Sequence, residues 1–157
     1  MTEEHLRQIA EDPKKWLSRN YRAEMRIKAK RDRIAHLHEI CSATTQELKP
    51  VVVYTGPSNK IEKCITEAID LESEIRIENV ELQRIQRETS EAIRLLLDDM
   101  ILIELMELRY LTDRRWEEIA VDMNYAYRWV QRLHSRALRI MKQKAAQKLE
   151  QAALSAE

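Results

Sequence analysis

Gly56 is the only glycine in this 157-residue chain, and only three prolines accompany it, so the backbone has few places to turn sharply. Tight β-hairpins and phosphate-cradling loops draw on glycine for positive φ. A turn-rich β-sandwich or a glycine-rich nucleotide loop is therefore excluded. With 34% charged residues, no Phe and abundant Leu, Ile, Ala, Glu and Arg, the sequence points to an all-α fold of bundle or coiled-coil type.

Asp12-Pro13 gives the first start signal, an acidic N-cap followed by proline at the first helical position. An apolar seam then runs through Trp16, Ala23, Ile27, Ile34, Leu37, Cys41 and Leu48, with nothing to break the helix before Pro50. The stretch from Pro50 to Pro57 interrupts it as a connecting loop, after which Ser58 or Asn59 is expected to cap the next helix. A second seam follows, through Cys64, Ala68, Leu71, Ile75, Glu78, Leu82, Ile85, Thr89, Ala92 and Leu96, in alternating steps of four and three. Two long seams joined by a short loop bury against each other, which predicts a long antiparallel helical hairpin over residues 13–88. Two helices bury little surface alone, so a homodimer is expected.

The pattern changes after Thr89-Ser90. Asp98-Asp99 is a further capping pair, and the run from Met100 to Leu111 is apolar on most sides, as a buried central helix would be. Thr112 to Arg115 reads as a break, Trp116 to Met123 as a short helix, Asn124-Tyr125 as a turn, and Ala126 onward as a long last helix with a fraying end. The expected division is residues 1–89 as an oligomerisation or partner-binding hairpin and 90–157 as a separate domain.

Two short helices around a tight turn, the second one basic, form the pattern of a helix-turn-helix. Ile119 and Ala120 are expected to face inward, and Asn124 tolerates the left-handed conformation the turn requires. Val130, Leu133, Ala137, Leu138 and Met141 give the last helix an inner face. Arg128, Arg132, Arg136, Arg139 and Lys142 give it an outer one. Although the chain balances 27 Lys and Arg against 27 Asp and Glu, residues 123–149 hold no acid. So basic a helix suits a groove lined with phosphates, and Arg136, Arg139 and Lys142 are candidate phosphate contacts.

The segment LELRYLTDRRWEEIAVDMNYAYRWVQRLHSRALRIMK resembles region 4 of sigma-70-type factors. The whole chain looks like small phage regulators related to the ArpU and RinA late-regulator families. The resemblance implies a sequence-specific DNA-binding transcriptional regulator of phage or prophage genes, expected to be an activator, with double-stranded DNA as partner and host RNA polymerase as a further one. By position it assigns base reading to Tyr127, Arg128, Gln131 and Arg132, and phosphate contacts to Arg114 and Arg115. Sigma factors often carry an acid where this chain has Arg128, so the DNA sequence read is expected to differ from theirs. Two other functions stay open: a protein-interaction module engaging polymerase or another regulator, and a packaging factor that binds DNA away from promoters.

Other features have plainer explanations. Nine basic residues against two acidic ones over residues 14–33 face either DNA or the acid-rich second helix. Pairing is favoured, with Arg26 near Glu78 and Arg33 near Glu72. Trp116 and Trp129 are read as core or edge residues, and Cys41 and Cys64 as small apolar residues of one hairpin layer. His36 and His38 point to different faces of a helix, so with Glu39 and Cys41 they make no metal site. Neither a cofactor nor a nucleophile-and-base signature is expected, and the protein is not expected to be an enzyme. No apolar run approaches a membrane span and the first residues are acidic, so a cytoplasmic setting with reduced thiols is expected, which the phage resemblance implies is that of a bacterial host.

Overall fold

The computed structural model describes residues 1–46 and 57–155, and every element among them is an α-helix. In order these are α1 (Glu3–Glu11), α2 (Pro13–Leu17), α3 (Arg19–Gln46), α4 (Pro57–Leu96), α5 (Met100–Tyr110), α6 (Trp116–Asp122) and α7 (Tyr127–Ser155). Leu48 and the expected loop from Pro50 to Gly56 lie outside the described residues. None of the described helices is long and apolar enough to cross a membrane.

The chain forms two compact units, residues 1–22 with 83–157 and residues 23–82. The sequence had suggested a division at 89/90. The difference arises because α4 continues through Thr89 and Ser90 to Leu96, with Ala92, Ile93 and Leu96 fully buried in the first unit's core. The N-terminal helices join the same core through Ile9, Trp16 and Leu17.

In the first unit, Thr2 opens α1, its hydroxyl accepting the His5 N–H at 3.3 Å, and Glu3 and Glu4 suit the positive end of that helix. Asp12 caps α2 by accepting the Lys15 N–H at 3.0 Å, with Pro13 at the first helical position. The single helix expected from Pro13 onward is interrupted at Ser18 and resumes as α3. Asp99 caps α5 through the Ile101 N–H at 3.0 Å. Leu102, Leu105, Met106 and Tyr110 of α5 are buried, while Met100 and Ile101 stay exposed. Helix α1 packs along α7, where Ala145 is fully buried, and α7 runs to Ser155 with its last residues mostly exposed.

In the second unit, Leu37 of α3 is buried with Cys64 and Ala68 of α4, and Ile40, Cys41 and Leu71 pack around them. Arg26 pairs with Glu78 at 3.1 Å, and Lys30 with Glu74 at 2.8 Å and Glu78 at 2.6 Å. Arg33 pairs with Glu67 at 2.9 Å, not with Glu72, because packing of Leu37 on Cys64 and Ala68 sets the register. The favoured pairing of the basic stripe is thus present for Arg26, Lys30 and Arg33. Cys41 is half-buried and Cys64 buried, and burial together with a hydrogen bond to Cys64 pushes the Cys41 thiol up. Helix α4 begins at Pro57, so Ser58 and Asn59 lie inside it and neither is its cap.

Candidate nucleic-acid interface

The candidate face belongs to α6, the turn after it, and α7, all in the first unit. Helix α6 ends in a Schellman arrangement: Tyr125 N–H reaches the Ala120 carbonyl at 2.9 Å and Asn124 N–H reaches Val121 at 3.1 Å. Asn124 sits at φ 54°, the left-handed region expected of it. Asp113, at φ 49°, shapes the preceding break, where Arg114 N–H closes onto the Leu108 carbonyl at 3.1 Å.

Helix α7 divides cleanly. Val130, Leu133, His134, Ala137, Met141 and Ala145 are buried along one side, and the opposite side carries Arg128, Arg132, Arg136 and Arg139, all exposed. Those four arginines have no ion-pair partner among the described residues. Tyr127 is 46% exposed at the start of the helix, and Gln131 is half-buried at the edge of the basic face. The sequence therefore located the four arginines on one surface, with Tyr127 and Gln131 at its margin.

The remaining candidates are placed differently. Lys142 Nζ donates to the Glu11 carbonyl at 3.1 Å, at the C-terminal end of α1 where a cation is favoured. Arg114 lies 3.8 Å from Asp122, and its carbonyl accepts from Arg109 at 2.9 Å. Arg115 is exposed at the N-cap of α6, where its N–H donates to the Glu118 carboxylate at 2.9 Å. The start of α6, expected to attract an external anion, thus already has an acid of its own. Lys144, further along α7, pairs with Asp98.

Beneath the face lies a buried polar and aromatic network that sequence reasoning missed. The Tyr110 hydroxyl and His134 Nε2 are 2.9 Å apart, and Asn20 Nδ2 donates to the Tyr110 carbonyl at 3.0 Å. Trp116 meets the His134 ring edge-on at 4.6 Å, and the Arg109 guanidinium stacks over Trp116 at 4.7 Å. Trp116 is thus a joint between α5, α6 and α7, whereas Trp129 is 46% exposed at the edge of the arginine face. Burial, reinforced by Lys14 and Arg109, pushes His134 down to about 4, and burial pushes the Tyr110 phenol up to about 12. Both are neutral near pH 7. The signal available in sequence was the polar pair Tyr110 and His134 at otherwise inward positions.

No group of three or more potential metal ligands comes together among the described residues. Set beside known proteins, the chain matches no family model, no curated protein and no solved structure.

Proposed function

We propose that this chain is a sequence-specific DNA-binding transcriptional regulator, an activator of phage or prophage genes in the cytoplasm of a bacterial host, which acts by binding and not by catalysis. The observation that carries the proposal is the outer side of α7, where Arg128, Arg132, Arg136 and Arg139 stand exposed and without ion partners among the described residues. Four like charges along one helix face repel each other and gain nothing from that arrangement unless an anionic partner meets them.

In this reading α6, the Asn124 turn and α7 are a helix-turn-helix, and within residues 23–82 α3 and α4 are an antiparallel helical hairpin. The first turns of α7 enter the major groove. There Arg128 and Arg132 grip guanine through paired N–H donors, Gln131 reads adenine, and Tyr127 meets a thymine methyl or a phosphate. Arg136, Arg139 and Arg115 neutralise phosphates, each contact releasing counterions and steepening the salt dependence. Lys142, held by Glu11, is left out of that set.

Exposed Val121, Tyr127 and Trp129 around the same face favour a second reading, a protein partner such as host RNA polymerase. Binding to specific and scrambled duplexes across a salt series separates the two. Arg132→Ala should cost about 1–3 kcal/mol on the specific duplex and flatten the preference. Arg139→Ala should weaken both duplexes and reduce the salt slope by about one. If neither change matters, α7 is not in DNA and the protein-partner reading replaces this one.

A further inference from the structure

The outer side of α4 in the second unit carries a surface that DNA binding does not explain. Cys64, Ala68 and Ile75 are buried on its inner side, while Ile65, Ile69, Ile77 and Val80 are 51%, 55%, 71% and 67% exposed. Large apolar side chains grouped on one face of an otherwise polar helix mark an interaction site. Their positions are also nearly symmetric about Ser73. Ile69 and Ile77 lie equally far on either side of it, Ile65 and Val80 lie further out, and the exposed, oppositely charged Asp70 and Arg76 are equally spaced between.

A two-fold interface requires that if residue i meets j, then j meets i. Two copies of α4 laid antiparallel and crossing at Ser73 satisfy this, with Ile69 against Ile77 and Asp70 against Arg76, each contact made twice. A parallel arrangement would set Asp70 against Asp70 and Arg76 against Arg76, so charge selects the antiparallel one. The crossing point is small. The Ser73 hydroxyl donates to the Ile69 carbonyl at 3.1 Å and accepts from Arg76 Nη2 at 3.4 Å, which holds the Arg76 guanidinium beside the crossing point. Glu74 is already turned to Lys30 of its own chain.

We propose that the outer face of α4 is a homodimer interface, in which a second copy of this chain packs antiparallel about a two-fold axis at Ser73. This does not depend on the DNA reading. Sedimentation equilibrium of the full chain at high micromolar concentration should show a dimer, and Ile69→Glu with Ile77→Glu should give a monomer of unchanged helicity. Asp70→Arg or Arg76→Asp alone should weaken dimerisation about tenfold or more, and the two together should restore it. Under mild oxidation Ser73→Cys should link to its own copy, whereas Asn59→Cys, at the far end of α4, should not. A monomeric wild-type chain, a dimer indifferent to the isoleucine substitutions, or cross-linking at position 59 in place of 73 would each overturn the proposal. Should the isoleucine variants lose helicity, failure of the charge-swapped pair to recover the dimer overturns it equally.

Discussion

Lowering the pH should loosen the unit that carries α7, and His134 determines by how much. Its ring is buried against Trp116, bonded to the Tyr110 hydroxyl, and held near 4 in place of the ordinary 6.5 by burial, with Lys14 and Arg109 adding to the effect. The unfolded chain therefore takes up a proton at a higher pH than the folded one. The stabilisation is complete above about pH 6.5 and drains away as the pH falls from there toward 4. At 1.36 kcal/mol per unit, the loss amounts to about 2 kcal/mol by pH 5 and about 3 kcal/mol in full. Urea unfolding, followed by circular dichroism at pH 7.5 and pH 5, measures it. The control is His134→Gln, which keeps a partner for Tyr110 but does not titrate, so carboxylate effects common to both proteins cancel. The wild type should lose about 2 kcal/mol more than the variant over that interval. Equal losses would mean that His134 is not held neutral by burial and that the network beneath α7 is not packed as described.

Three further outcomes follow from the packing and the charges. Asn124→Gly should leave the melting temperature nearly unchanged, while Asn124→Val should cost about 1–2 kcal/mol at φ 54°, read by thermal unfolding. Ala137, fully buried on the inner side of α7, has no room to grow, and Ala137→Leu should destabilise by about 1–3 kcal/mol and lower DNA affinity with it. Glu78 is held below its ordinary 4.5 chiefly by Lys30 and then by Arg26, against a smaller opposing effect of burial than the Lys30 bond exerts. Its contribution is present at neutral pH and lost as the pH falls through its folded value, and carbon-detected titration of Lys30→Gln should find the Glu78 carboxyl moved upward.

How far these features were legible in advance depended on whether their cause was local. The caps at Asp12 and Asp99, the break after Tyr110 and the left-handed Asn124 are set by residues within a turn of each other, and the sequence pattern reached them. The arginine face of α7 was legible because spacing alone decides which side of a helix a residue occupies. Helix α1 was missed although Thr2, Glu3 and Glu4 signal a helix start, because its short mixed sequence offers little beyond Leu6 and Ile9 to mark a buried side. What makes Ile9 core is α7, more than a hundred residues away, and the same contact buries Ala145 and ties down Lys142. The Arg33 partner was misplaced for a related reason: helix register follows the packing of Leu37, Cys64 and Ala68, not the midpoint of a loop.

The central claim is that α7 reads DNA sequence with its exposed arginines. Its most direct test is selection of duplexes from a random-sequence pool by the full chain, repeated with Arg128→Ala plus Arg132→Ala. The account predicts that the wild type enriches a defined sequence containing guanine within reach of Arg128 and Arg132, and that the variant keeps a weak, salt-sensitive affinity but enriches nothing. Retention of the same enriched sequence by the variant, or no binding to any duplex by the wild type at low salt, would contradict it.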